Sequence, residues 1–251
     1  MASSPQKIRK QRVSRHEREM EVMEHLSELR ARLLRCVGVV VVACFVVWYY
    51  YYPLYHFFTQ PFIHELSKHG GSVIFSNWLE GFFVRMKLSI YGGIVVSAPF
   101  WIIELWGFVA PALTPEERKP IRFLAPLTVV LFAAGVTLAH LILPLAFRWA
   151  MSYIPPDVKL LQHLNDYIEL LAKMYLSFGL CFELPVVLIF LAKVGIIDAA
   201  LMRQYWRQAV MSIMVIAALV TPSNDPVTML MCAIPMALLY LMSIFLVEKM
   251  T

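Results

Sequence analysis

The sequence predicts an all-α integral membrane protein, six transmembrane helices in one bundle with both termini cytoplasmic. Three observations predict it: composition, the lengths of the apolar runs, and the placement of positive charge. Hydrophobic residues make up 60% of the 251 residues and charged residues only 16%, with a mean hydropathy of +0.67. A water-soluble domain of this size needs far more polar surface. The apolar runs are continuous and lack the two-residue alternation of a membrane barrel, so they read as helices. Six of them, at 33–52, 82–109, 123–147, 168–191, 209–221 and 227–247, qualify or nearly qualify as spans of a bilayer core about 30 Å thick.

Taken in order, residues 1–20 read as a basic, disordered extension and 21–249 as a single membrane domain. The polar start lacks the form of a cleavable signal peptide. From 17 to 35 the charge pattern turns helical, with Leu26, Leu29, Leu33 and Leu34 on one stripe. That predicts an amphipathic lead-in lying in the cytoplasmic interface ahead of the first span. The first outer loop, 53–81, is long and aromatic, which suggests an interfacial belt or a helix folded back onto the outer leaflet. Gly70-Gly71 marks a turn within it. The fifth run covers about 20 Å at a rise of about 1.5 Å per residue, so it must thin the bilayer locally or be shielded by protein. No internal repeat is visible.

Nine of the 22 Lys and Arg residues lie between Lys7 and Arg35. Arg118, Lys119 and Arg122 follow the second run, and Lys193, Arg203 and Arg207 follow the fourth. The opposite loops hold only Lys68, Arg148 and Lys159. The positive-inside rule then makes both termini cytoplasmic. The net charge of +5 is thus a topology signal and not a sign of nucleic-acid binding. Cys36, Cys44, Cys181 and Cys232 all fall in or beside apolar runs and read as small packing residues, without a disulfide framework.

Ionisable residues in unlikely places carry the functional signal. Glu183 sits near the middle of the fourth run, where a charge costs at least ~2.5 kcal/mol on insertion scales. Pro185 cannot donate to the Cys181 carbonyl, so the helix should kink beside that carboxyl. Glu183 reads either as polar glue between helices or as a dock for another protein's membrane helix or a proton relay. Glu117 falls in Thr114-Pro115-Glu116-Glu117, which fits a capping box, with Thr114 as cap. Glu28 is four residues before Arg32 and could simply pair with it, and Glu24 lies one turn earlier. The alternative joins Glu28 and Glu117 as two unneutralised carboxylates at the cytoplasmic surface, gripping a guest with two fixed cations. Guanidinium suits that role better than ammonium, because it binds carboxylate through two parallel hydrogen bonds.

Glu104 should face the bundle or snorkel to the inner interface. Glu169 and Lys173 are spaced as an ion pair, Asp225 should serve its own turn, and His140 reads as a hydrogen-bonded core residue. No metal-ligand spacing, nucleotide loop or catalytic constellation occurs, which argues against an enzyme and implies no cofactor.

Several motifs in order carry a resemblance. They are His25-Leu-Ser-Glu28-Leu-Arg30-Ala-Arg32, Phe108-Val-Ala-Pro111-Ala-Leu113 followed by Glu117-Arg118, Phe182-Glu183-Leu-Pro185, Thr221-Pro222 with Asp225-Pro226, and Ala233-Ile-Pro235. Together they resemble TatC, the polytopic subunit of the twin-arginine protein translocase. The resemblance implies a concave, cup-like six-helix bundle with short fifth and sixth helices in the bacterial inner membrane. It implies a receptor for twin-arginine signal peptides and a scaffold for moving folded proteins, driven by the proton-motive force. Glu28 and Glu117 would hold the paired arginines, with Arg30, Phe108 and Pro111 shaping the site. Glu183 would dock single-span partner subunits of the TatA/TatB type, and self-association is expected. Asp225 matches a position of less clear role. Glu104 departs from the pattern, since relatives often carry glutamine there. The rival classes are a proton-coupled small-molecule transporter with Glu183 as relay, and a passive membrane scaffold.

Overall fold

In the computed structural model, residues 15–110, 115–155, 157–220 and 226–250 are described. They form ten α-helices and two short strands. Helix α1 (Arg15–Tyr49) runs unbroken for 35 residues. The expected amphipathic lead-in is therefore continuous with the first apolar run, not a separate interfacial helix. Its first residues belong to the 1–20 extension, of which 1–14 lie outside the described residues. After a turn at Tyr50, α2 (Tyr51–Lys68) folds the aromatic loop into a helix. Gly70, at φ +66°, then reverses the chain in a conformation that favours glycine.

The second apolar run is two helices, α3 (Glu80–Val96) and α4 (Ala98–Val109), bent by 50° at Ser97. Pro99 near the start of α4 has no N–H to continue the ladder. The Ile94 carbonyl beside the break accepts from two side chains, Ser97 Oγ at 3.2 Å and Trp101 Nε1 at 3.1 Å. The third run is α5 (Pro115–Met151).

The fourth run also splits, into α6 (Leu164–Cys181) and α7 (Leu184–Lys193), with Phe182 and Glu183 in the break and Pro185 just after it. The helix is thus interrupted beside the carboxyl, where Pro185 predicts a kink. Short α8 (Ala199–Gln204) is capped by Asp198, whose Oδ1 accepts from the Leu201 amide at 2.6 Å. Helices α9 (Trp206–Val220) and α10 (Pro226–Met250) complete the chain.

Among the described residues, four stretches are long and apolar enough to cross a membrane: His25–Tyr49, Phe123–Met151, Leu164–Lys193 and Met229–Lys249. The bent α3–α4 pair makes a fifth candidate, and Trp206–Leu219 is a shorter apolar helix.

Packing relies on small residues that let backbones approach. A Cβ on Gly135 of α5 would stand 2.5 Å from the Phe178 carbonyl oxygen of α6, and one on Gly179 would meet the Phe132 ring at 2.6 Å. Gly93 of α3 similarly abuts Cys44 of α1. Cys232 is buried, and Cys36, Cys44 and Cys181 are half-buried. A feature the sequence did not announce is a parallel pair, β1 (Ser72–Ile74) with β2 (Leu161–His163), in register Ser72 with Leu161. It ties together the two loops at the end of the bundle opposite the start of α1.

Candidate functional site

Helices α1 and α4 meet near the start of α1. There the His25 imidazole stacks on the Phe108 ring, centroids 4.5 Å and planes 17° apart. One turn along, i,i+4 spacing puts Glu28 and Arg32 on one face. Arg32 Nε and Nη2 both donate to Glu28 Oε1, at 3.0 and 2.7 Å. Arg32 Nη1 donates to Glu104 Oε2 at 2.9 Å, and Arg35 Nη1 donates to Glu104 Oε1 at 2.8 Å. Two carboxylates and two guanidiniums thus alternate in a charge-balanced chain linking α1 to α4. Gly107, one turn after Glu104, leaves the space: a Cβ there would lie 2.3 Å from Arg32 Nη1.

The arrangement corrects one expectation. Glu28 is not unneutralised by its own chain; the bland reading, a pair with Arg32, is what forms. Its side chain nonetheless keeps 34% of its surface exposed. Glu104 faces α1 and holds Arg32 and Arg35. Arg30 is exposed and Phe108 half-buried.

Helix α5 begins only five residues after Ala110. At no more than ~3.6 Å per residue, its first turn lies within about 18 Å of Ala110, at the same end of the bundle. Glu117 is on that turn. Its side chain, that of Glu24, and Pro111, Thr114 and Asp225 all lie outside the described residues, as does the choice between cap and receptor for Glu117. The parts sequence reasoning missed are Arg35, Gly107 and the second partner of Arg32. Only the excess of charge around Glu104 hinted at them.

Glu183 has both carboxyl oxygens enclosed by the chain, with no hydrogen-bond partner. It belongs to the helix break, where Phe182 and Glu183 donate their amides to Phe178 and Leu180. A buried polar group in this state is costly unless something else satisfies it.

The remaining charges serve packing. Glu169 accepts from Lys173, the expected pair, and from Lys87 of α3. His140 Nδ1 lies 2.7 Å from the Tyr175 hydroxyl and stacks on Phe57, as a core histidine. Among the described residues, no group of three or more His, Cys, Asp or Glu side chains could hold a metal ion.

A family model described as "Sec-independent protein translocase protein (TatC)" matches residues 24–235. The chain belongs to the TatC family. The TatC protein of Magnetococcus marinus is 33% identical over 230 residues, covering 91% of this chain and 84% of that one. That of Synechocystis is 35% identical over 219 residues, covering 84% and 81%. A crystal structure described as the twin arginine translocase receptor TatC in DDM superposes with a TM-score of 0.77 at 28% identity, covering 89% of this chain and 99% of that one. This TatC-family chain is accordingly an all-α, multi-pass protein of the bacterial inner membrane. It is a core subunit of the Sec-independent translocase, a transport component and not an enzyme.

Proposed function

We propose that this chain is the receptor for twin-arginine signal peptides, with Glu28 and Glu117 taking the two guanidinium heads. The observation that carries the reading is that Glu28 already binds a guanidinium, at 2.7 Å from Arg32 Nη2, while remaining partly open to the surface. Phe108 stacks on His25 one turn before Glu28, and Arg30 and Pro111 are assigned to the same site from the motif resemblance. The lysine and arginine bias supports six spans with both termini cytoplasmic, which puts this site where unfolded signal peptides arrive. Glu183 is the docking group for a TatA/TatB-type helix. Its unsatisfied oxygens are a reason for a partner's polar side chain to displace the chain's own cover. Transport draws on the proton-motive force.

Binding of a twin-arginine signal peptide to the detergent-solubilised protein tests the receptor. Each charged hydrogen-bonding partner is worth about 1.5–3 kcal/mol, so Glu28→Ala with Glu117→Ala should lose at least ~100-fold in affinity. Unchanged affinity overturns the assignment. Glu117→Gln still completes a capping box but lacks the charge. It should keep the fold and lose binding.

A further inference from the structure

We infer that Arg32 is an internal latch on the receptor site: its guanidinium occupies Glu28 in the unliganded chain and is handed to Glu104 when an incoming arginine takes Glu28. This regulation rests on reading Glu28 as a receptor group. Arg32 has two acceptors at once, Glu28 through Nε and Nη2 and Glu104 through Nη1. Releasing Glu28 therefore does not strand a buried cation. The slot left by Gly107 seats Nη1 against α4, on the Glu104 side. Arg32 is also the more covered partner, with 21% of its side chain exposed against 34% for Glu28. A visitor reaches the carboxylate before it reaches the latch.

The exchange is like for like. A guanidinium restores to Glu28 the hydrogen bonds that Arg32 gives up, whereas an ammonium offers a point charge without the fork. Latched Glu28 is not competent, so apparent affinity falls by the fraction of molecules that are open. The latch therefore weakens every visitor by the same factor, and the preference for arginine over lysine comes from the fork at Glu28 itself. Glu104 sets the balance: as an acid it draws Arg32 away from Glu28, and an amide there would leave Arg32 to Glu28 alone.

The test is signal-peptide affinity in a double-mutant cycle, with circular dichroism to confirm fold. Arg32→Gln should tighten a twin-arginine peptide about two- to fivefold, the scale of a partly exposed ion pair. It should tighten a twin-lysine version by the same factor, leaving the ratio between them unchanged. Glu104→Gln should weaken binding in the native background and have no effect once Arg32→Gln is present. Arg35→Gln removes the same charge without freeing Glu28 and should change affinity less than Arg32→Gln. Equal effects from Arg32→Gln and Arg35→Gln, or strictly additive effects of Arg32→Gln and Glu104→Gln, reduce the latch to local electrostatics and overturn it. So does unchanged or weaker binding by Arg32→Gln while Glu28→Gln abolishes it. If Glu28→Gln leaves affinity intact, the receptor reading itself fails and the latch with it.

Discussion

Side chains at the ends of helices do two kinds of work here, and sequence spacing reveals one kind only. Glu28 with Arg32 and Glu169 with Lys173 are four apart, so helix periodicity exposes them. Arg32 with Glu104 and Lys87 with Glu169 are 72 and 82 residues apart, and nothing local announces them. The same holds for Trp106, whose buried indole donates to Thr128 Oγ1 at 2.9 Å, while that hydroxyl donates to the Leu124 carbonyl. This polar pair helps fasten α4 to α5. Thr128→Val leaves the indole without that partner and should lower stability by about 0.6 kcal/mol, the average for such bonds within membranes, and by no more than about 1.7 kcal/mol. Trp106→Phe in the Thr128→Val background should recover part of that loss, because the orphan donor is gone. A denaturant or thermal titration of the purified protein in detergent reads both.

Helices in this bundle are shaped by where they stop. Pro185 was visible as a ladder breaker, whereas 82–109 read as one run and Pro99 was not singled out; the structure breaks at Ser97 and at Phe182–Glu183. How far each break turns the chain, 50° at the first, was not visible, because the angle depends on what packs against both halves. Close crossings are similarly hidden in single glycines. Gly135 faces a backbone carbonyl that cannot yield, whereas Gly38 of α1 has nothing within 4 Å of its missing Cβ. Gly135→Ala should therefore overpack the α5–α6 crossing and cost about 1–3 kcal/mol. Gly38→Ala should gain up to about 1 kcal/mol from helix propensity alone. Opposite shifts in melting temperature for two identical substitutions check the packing; equal shifts would mean that α5 and α6 do not meet at Gly135.

Across the whole molecule, one end carries the arginine–carboxylate chain and the other carries a cap of unrelated origin. Three-residue strands at 72–74 and 161–163 are too short and too far apart in the chain to be read from pattern, yet they clasp the two loops of that cap. Beside them, outside the spans, Glu65 of α2 is 5% exposed and accepts from Lys68 at 3.1 Å and from Arg148 of α5 at 2.8 Å. The Lys68 hydrogen bond, with Arg148 behind it, holds the Glu65 carboxyl below the ordinary carboxylate range against the opposing effect of burial. A carboxyl with a folded pKa below its unfolded value of about 4.3 stabilises the fold fully above that unfolded value. The contribution is lost as pH falls through the folded pKa. The clamp should thus be intact from neutral pH down to about 5, and the cap should loosen only in stronger acid. Glu65→Gln should lower the melting temperature at pH 7 and flatten its fall below about pH 4 relative to the native chain. A melting profile against pH with an unchanged acid limb in Glu65→Gln would place the acid sensitivity on other carboxylates. Such a result would leave α2 held to α5 by its aromatic contacts, chiefly Phe62 against Phe147 at 4.7 Å, and not by charge.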